Sequence, residues 1–496
     1  MNSSKMLKIL FVTPEAVPFI KTGGVADVSG SLPLKLQELG HQVRIVIPKY
    51  ALIDERRHKI HEVVRLKEEY EEVNRKKVMF SFRSSFLVAT KTRVQIYFLD
   101  NQDYFANRKG IYTDPKNGKP YLDNDERFIL LTKSVFALIL KLGWVPDIIH
   151  CNDWQSALIP IYLKSVYKDV PELKNIKTLL TIHNFENQGV FPAETFAKTE
   201  LPKELKTDKG LSFDGKINFL KGGLLYSDLV NTVSGNYVNE LCSDPDVSFG
   251  LKNVLCKRRD DFYGILNGID TVVWNPEKDK RIPKKYSVKN FEDKRINKKA
   301  LCEKFNFQYD ENIPIISIIS RLTESKGIDF LMKDFNELLK LKANFILLGD
   351  GELKYKKFFE EKTKKSNHKF ACQIGFDENL AHLVQAGSDM ILIPSKYEPC
   401  GLNQMYGLMY GTIPIVRKTG GLADTIKNFD EKDFSGNGFV YEKFSISDMI
   451  KTINRAITLY SDRTLWEKLA KSGMKSNFSW TNSTGLYLDL YRKLVG

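Results

Sequence analysis

The stretch of residues 391–424 constrains the fold more than any other part of the chain. It starts within a short apolar run at residues 390–394, which is bounded by proline and typical of a buried parallel strand. A helix is predicted to begin at Gly401 and Leu402 and to run to residue 410, and the next strand follows at residues 412–416. Strand, helix and strand form a βαβ unit, which requires a parallel sheet covered by helices.

The loops of this βαβ unit also predict a ligand site, because open α/β sheets bind ligands beyond the carboxyl ends of their strands. Glu398 lies in the loop after the first strand, and an ionised carboxylate offers only acceptors, which suit sugar hydroxyls. The second strand leads into Thr419, Gly420 and Gly421, where glycines let backbone N–H groups approach a phosphate. A capped helix and a solvated glutamate are the alternative interpretation.

The same alternation of strands and helices occupies the rest of the chain in two series. It predicts an α/β protein with two Rossmann-like doubly wound domains. We place the N-terminal domain at residues 1–266, a polar, lysine-rich linker region at 267–312, and the second domain at 313–476. Within the second domain a single helix is expected to run up to residue 340. After this domain, residues 477–496 are expected to form a C-terminal helix.

Composition narrows the class of protein. The chain has 496 residues with 42% hydrophobic content, enough for large cores. An excess of 75 Lys and Arg over 61 Asp and Glu gives a net charge of +14, but the excess is spread over lysine-rich segments with no nucleic-acid-binding motif, so a solvated face is favoured over nucleic acid. No apolar run is long enough for a signal peptide or a membrane span. Six scattered cysteines without a CxxC pair indicate a reducing compartment, predicted to be the cytoplasm.

One short sequence occurs twice. KTGGVAD at residues 21–27 reappears as KTGGLAD at residues 418–424. Each copy is expected to place a cation and a glycine-rich helix start at the carboxyl end of a strand. The two loops are therefore predicted to face one ligand across a cleft, and chance repetition of a helix-start sequence is the alternative.

Several motifs in one order carry a resemblance that covers nearly the whole chain. They are KTGGVADV near the start, HCNDWQSAL, TIHNFENQG, NGID, SRLTESKG, EPCGLNQMYGLMYGTIPIV and TGGLADT. Together they resemble bacterial glycogen synthases and plant starch synthases. The resemblance implies two facing Rossmann-like domains, the GT-B arrangement, with the C-terminal helix crossing back onto the first domain. It also implies retaining transfer of glucose from a nucleotide sugar, expected to be ADP-glucose, to the non-reducing end of an α-1,4-glucan.

The resemblance assigns roles that residue chemistry supports. Arg321 and Lys326 match the cations that stabilise charge on the departing diphosphate, and helix starts favour cations only when an anion is present. Because two cations can replace Mg²⁺, and no acidic cluster occurs, no metal and no cofactor are expected. Glu398 is assigned as catalytic and His183 as the contact of the glucosyl 6-hydroxyl. The remaining predicted substrate-binding residues are Lys21, Gly24, Asp153, Asn184, Phe376, Cys400, Gly401, Leu402, Thr419, Gly420 and Gly421.

The sequence leaves alternatives to some of these assignments and departs from the family pattern at others. Asp153 precedes a helix and is also a good N-cap residue. Phe376 stands where the family commonly has Tyr, and Gln155 stands where His is frequent. The terminal helix could instead pack on its own domain.

Other functions stay open on the sequence. They are another GT-B transfer such as sucrose or trehalose phosphate synthesis, a catalytically silent glucan-binding protein, and nucleic-acid binding suggested by charge alone. Acceptor choice separates the first of these from glycogen synthesis. The second is opposed by five intact side chains, Lys21, His183, Arg321, Lys326 and Glu398. Only a salt-sensitive gel shift without sugar transfer would support the third.

Overall fold

The computed structural model describes residues 5–89, 91–375 and 377–496. The chain forms two compact units. Unit 1 comprises the chain up to Val233, Val238–Gly268 and Trp480–Gly496, and unit 2 comprises Ser234–Tyr237 and Ile269–Ser479. Each unit is a doubly wound α/β structure, so the predicted fold class is confirmed.

Unit 1 is built on a sheet in which the order of the described strands is β13-β12-β8-β7-β1-β2-β6-β5-β3, with β4 paired to β5. Strands β13 to β6 of this order pair in parallel, and β5 turns antiparallel. The strands of unit 1, including the small sheet β10-β11-β9, are β1 Lys8–Val12, β2 Gln42–Pro48, β3 His61–Glu62, β4 Glu69–Val73, β5 Lys76–Val88, β6 Arg93–Asp100, β7 Ile148–Asn152, β8 Lys177–Ile182, β9 Val190–Phe191, β10 Ser212–Phe213, β11 Lys216–Asn218, β12 Leu229–Thr232 and β13 Phe262–Gly264.

Helices cover this sheet, and their apolar residues make the core of unit 1. The central strand β1 reads KILFV and is buried after its first residue, as expected for a parallel strand covered on both faces. The helices in this part of the chain are α1 Gly24–Glu38, α2 Asn124–Leu142, α3 Ile159–Lys164, α4 Thr195–Thr199, α5 Phe219–Tyr226, α6 Gly235–Ser243, α7 Pro245–Ser248 and α8 Lys252–Lys257.

Unit 2 has a sheet with the described order β16-β15-β14-β17-β18-β19, parallel throughout. Its strands are β14 Ile315–Ile319, β15 Asn344–Gly349, β16 Phe370–Ile374, β17 Met390–Ile393, β18 Ile413–Arg417 and β19 Phe439–Tyr441. Its helices are α9 Lys294–Phe305, α10 Ile328–Lys333, α11 Phe335–Leu339, α12 Leu353–Lys365, α13 Glu378–Gly387, α14 Asn403–Met409, α15 Gly420–Thr425, α16 Ile446–Ser461 and α17 Arg463–Met474. The βαβ unit of residues 391–424 is β17, α14 and β18.

Strand order creates one switch point in each sheet. The first strand of unit 1, β1, lies between β2 and β7, and the first strand of unit 2, β14, lies between β15 and β17. At such a point the connections leave in opposite directions, and a crevice opens at the carboxyl ends of the two strands. The loops after β1 and β7, and those after β14 and β17, are therefore placed to form sites.

Two details differ from the sequence-based expectations. Residues 269–312, predicted as a linker region, belong to unit 2, where α9 packs against α13. The polar composition of this segment wrongly indicated a linker, because Lys294 and Lys298 of α9 are buried. Their ammonium groups donate hydrogen bonds to backbone carbonyls and to hydroxyls. The single helix expected before residue 340 is instead two short helices, α10 and α11, separated at Asp334.

The last helix of the chain, α18 Trp480–Val495, belongs to unit 1 and packs on α1 and β8. Its Tyr491 hydroxyl lies 2.7 Å from His150 Nδ1 on β7, and its Tyr487 hydroxyl accepts a hydrogen bond from Asn231 on β12. Within the described part of the chain, the helices are too short or too polar to cross a bilayer.

Candidate functional site

In unit 1, Asp153 immediately follows β7 and has a left-handed backbone with φ of 56°. Its side chain does not cap the 3₁₀ turn Trp154–Ser156 that it precedes. Instead, Asp153 Oδ1 accepts the backbone N–H of His183 at 2.7 Å. The carboxylate therefore joins the ends of β7 and β8, and the N-cap alternative is wrong. Burial raises the pKa of Asp153 to about 7, against the opposing effect of the His183 N–H.

His183 follows β8 beside Asp153. Its ring Nε2 lies 3.0 Å from the side-chain oxygen of Asn152, and its Nδ1 is buried without a hydrogen-bond partner in the described structure. Burial lowers the pKa of His183 to about 3, so the ring is uncharged at neutral pH. The adjacent Asn184 turns its amide to Glu186, whose backbone N–H it accepts at 3.0 Å, so its side chain orders the loop.

The loop after β1 is held by a residue that sequence reasoning missed, Glu15. This buried carboxylate accepts the backbone N–H of Thr22 and its hydroxyl, and Tyr112 donates to it at 2.6 Å. Burial raises the pKa of Glu15. The available signal was an acid three residues after the end of the apolar strand β1.

The predicted residues of the first repeat lie on this loop. Lys21 pairs with Asp27 at 2.7 Å, and its side chain is 40% exposed, so its ammonium group is accessible. Gly24 is exposed and is the first residue of α1. The loop thus presents a cation at the switch point of unit 1.

In unit 2, the residue pair Lys326 and Glu398 spans the switch point. Lys326 Nζ lies 2.7 and 2.6 Å from the two carboxylate oxygens of Glu398, 72 residues away. Ser395 donates to the same carboxylate at 2.8 Å. The pair is mostly buried, with side-chain exposures of 16% and 11%. A cation at a helix start is favourable only beside an anion. For Lys326 that anion is the carboxylate of Glu398, the predicted catalytic residue.

Arg321 lies at the same end of β14 and is exposed. Over residues 5–89, 91–375 and 377–496, no hydrogen bond or ion pair holds its guanidinium. An exposed guanidinium without a protein partner, in the loop that also carries Lys326, is suited to bind an anion.

Close backbone contacts explain the glycines of this site. A Cβ on Gly421 would lie 2.2 Å from the carbonyl oxygen of Cys400, and one on Gly420 would lie 2.0 Å from that of Glu398. A Cβ on Gly327, which follows Lys326, would lie 2.1 Å from the carbonyl oxygen of Pro394. The loops after β14, β17 and β18 are therefore packed backbone against backbone, which only glycine permits.

Four other predicted residues of unit 2 lie just before α14 or α15. Gly401 has φ of +72°, and Cys400 is buried and forms no disulfide with another described residue. Leu402 precedes α14 and Thr419 precedes α15. Phe376 lies outside the described residues. In the described chain no group of three or more His, Cys, Asp or Glu side chains is arranged to hold a metal ion.

Comparison with known proteins shows the family to which the chain belongs. The starch synthase catalytic domain matches residues 8–257, and the model for glycosyl transferases group 1 matches residues 302–473. A glycogen synthase of Bacillus cereus strain B4264 is 40% identical over 498 residues, covering 99% of this chain and 100% of the relative. The chain belongs to the glycogen and starch synthase family. As a member of this family, it is a glycosyltransferase.

Further relatives agree with this family assignment. Glycogen synthase 1 of Methylococcus capsulatus is 38% identical, with 99% of this chain and 97% of the relative covered. The solved catalytic domain of starch synthase IV from Arabidopsis thaliana, bound to ADP and acarbose, has a TM-score of 0.90 and 30% identity over 99% of this chain and 100% of that one. A sucrose-phosphate synthase from Thermosynechococcus elongatus, with a TM-score of 0.59 and 15% identity over 98% and 99% of the two chains, shares the fold.

Proposed function

We propose that this glycosyltransferase elongates glycogen by moving glucose from ADP-glucose to the non-reducing end of an α-1,4-glucan, with retention of configuration. The observation that carries the proposal is the Lys326–Glu398 pair, which puts a fixed cation and a carboxylate together at the switch point of unit 2. The ADP bound in the Arabidopsis starch synthase structure supports an adenine nucleotide donor, and the names of the bacterial relatives support glycogen as the product.

In the proposed reaction, the bond between the anomeric carbon and the diphosphate breaks, and a bond from the anomeric carbon to the acceptor 4-hydroxyl oxygen forms. ADP and the hydroxyl proton are released. Negative charge grows on the diphosphate, where Arg321 and Lys326 stabilise the transition state more than the ground state. Positive charge grows at the anomeric carbon, where the carboxylate of Glu398 opposes it and accepts hydrogen bonds from donor-sugar hydroxyls.

Unit 1 supplies the groups that we assign to orienting the sugar and to the acceptor side of the reaction. His183, neutral and fixed by Asn152, contacts the donor glucosyl at its 6-hydroxyl, and Asp153 holds the backbone of His183 in place. Lys21 reaches the nucleotide sugar from the loop after β1. In unit 2, Phe376 and the segments Cys400–Leu402 and Thr419–Gly421 complete the proposed substrate contacts.

We further propose that the protein acts in the cytoplasm without a metal ion. The six cysteines, all of which lie among the described residues, form no disulfide, as is typical of proteins in a reducing compartment. Two side-chain cations at the diphosphate perform the charge neutralisation that Mg²⁺ provides in many phosphoryl-transfer enzymes.

The test is transfer of radiolabelled glucose from ADP-glucose and, in parallel, from UDP-glucose to a glycogen primer in the presence of EDTA. We expect strong incorporation from ADP-glucose, and the anomeric proton signals of the product should be those of new α-1,4 linkages. Preference for UDP-glucose would refute the donor assignment. Transfer to fructose 6-phosphate or glucose 6-phosphate instead of glycogen would identify another GT-B reaction, and no transfer at all would leave the glucan-binding alternative.

A further inference from the structure

Asn152, at the end of β7, is fully buried, and the orientation of its side-chain amide is fixed by its surroundings. Its Nδ2 donates to the carbonyl oxygen of Val12 at 3.2 Å and to that of His150 at 3.4 Å. Carbonyl oxygens accept hydrogen bonds and cannot donate them, so the NH₂ group must be on this side. The amide oxygen of Asn152 therefore points to His183.

This orientation determines which nitrogen of His183 carries the proton. Nε2 lies 3.0 Å from the Asn152 oxygen, which can only accept, so Nε2 is protonated. Nδ1 is buried and has no partner in the described structure. A proton on Nδ1 would be a buried donor without an acceptor, which is unfavourable both for the other neutral tautomer and for the imidazolium.

The charged groups around His183 do not reverse this preference. The carboxylate of Asp153, whose own pKa burial raises to about 7, bonds to the backbone N–H of His183. Glu15 interacts electrostatically with Asp153, and burial raises the pKa of Glu15 itself. His150, on β7, has its pKa held well below the usual range by burial. Burial lowers the pKa of His183 itself to about 3.

We propose that Asn152 is a positioning residue that fixes His183 in its neutral, Nε2-protonated form. This inference rests on the proposed function for its purpose: a neutral ring beside the donor glucosyl adds no positive charge where the anomeric carbon becomes positive, whereas an imidazolium would oppose the reaction.

The first test measures the tautomer of His183 in the unmodified chain. In the full chain labelled with ¹⁵N at histidine, the His183 signals, assigned by their loss in His183→Gln, should show the Nε2–H tautomer and should stay neutral from pH 8 down to about pH 5. The Nδ1–H tautomer, or a titration midpoint near the ordinary histidine value of about 6.5, would overturn the proposal. This readout does not depend on activity, so it remains decisive even if glucose transfer fails.

The second test is Asn152→Asp, which puts a carboxylate beside Nε2 and favours the imidazolium. We expect the His183 midpoint to rise by at least about one pH unit and the acid limb of the kcat profile to move upward with it. A purely structural role would lower kcat equally at every pH and leave the limb in place, and this result would overturn the proposal.

The matched control is Asn187→Asp, the same substitution at an exposed position of the loop after β8, which carries His183. It should change neither the His183 midpoint nor the shape of the pH profile. If Asn152→Asp does not fold, because its carboxylate faces two carbonyls, the tautomer measurement on the unmodified chain still decides.

Discussion

At the scale of single residues, Lys326 and Glu398 hold each other in place at the site. The Glu398 carboxylate accepts two hydrogen bonds from the Lys326 ammonium group and a third from the Ser395 hydroxyl. These three bonds leave it little freedom to rotate. Groups held in this way stabilise charge without reorganising during the reaction, which is the main source of electrostatic catalysis. The contacts of the pair are thus structural, and their rigidity suits the chemical role that we propose for it.

The first prediction concerns Glu398→Gln, which keeps the shape of the side chain and removes its charge. We expect kcat for glucose transfer to fall by about 10²–10³-fold, as for other preorganised charge-stabilising groups, while the circular dichroism spectrum is unchanged. Glu337→Gln is the matched control, because Glu337 forms an exposed ion pair with Lys340 at 2.6 Å away from the site. A kcat for Glu398→Gln within tenfold of the unmodified protein would contradict the catalytic assignment.

At the scale of the elements, the two KTGG loops are alike in sequence but differ in what their glycines must do. Gly23 has extended backbone with φ of −151°, and a Cβ there would meet nothing within 4 Å. Its counterpart Gly420 has φ of +43°, and a Cβ there would lie 2.0 Å from the Glu398 carbonyl oxygen. Packing in unit 2 therefore imposes a requirement that the repeat alone does not reveal.

The second prediction compares Gly420→Ala with Gly23→Ala in urea unfolding. We expect Gly420→Ala to destabilise unit 2 by about 2–3 kcal/mol, because it adds left-handed strain to a backbone clash. Gly23→Ala should change the free energy of unfolding by no more than about 0.5 kcal/mol. Equal effects of the two substitutions would show that the contact between Gly420 and the Glu398 loop is not tight in solution.

At the scale of the whole molecule, the last helix, α18, belongs to unit 1, which otherwise consists of residues from the first part of the chain. Helix α18 buries Tyr487 and Tyr491 against unit 1. Tyr491 bonds to His150, His150 to Thr181, and Thr181 to Asn231, so one buried polar network connects α18 with β7, β8 and β12. Residues 480–496 are therefore an integral part of the first unit.

The third prediction is that Tyr491→Phe destabilises unit 1 by about 1–3 kcal/mol, because it leaves a buried nitrogen of His150 without a partner. The loss is measured by urea unfolding, and hydrogen exchange of the β7 and β8 amides reports whether it is confined to unit 1. Leu486→Ala, on the exposed face of the same helix with 52% exposure, serves as the control and should have little effect. A Tyr491→Phe protein as stable as the control would mean that the network does not anchor α18.

The sequence by itself determined the alternation of strands and helices and the family. Apolar periodicity is a local property, so it placed the two strands and the helix of the βαβ unit around Glu398. The ordered motifs identified the glycogen and starch synthases. Local patterns failed where burial depends on distant partners, as for the buried lysines of α9.

Only the tertiary structure decided which residues meet. Strand order is not written in local periodicity, yet it sets β14 beside β17 and so brings Lys326 to Glu398. In the same way it sets β7 beside β8, which turns Asp153 from a possible helix cap into the anchor of His183. Glu15, Asn152 and the unequal glycines of the two repeats became visible for the same reason, since burial, hydrogen-bond orientation and backbone contact are properties of neighbours in space.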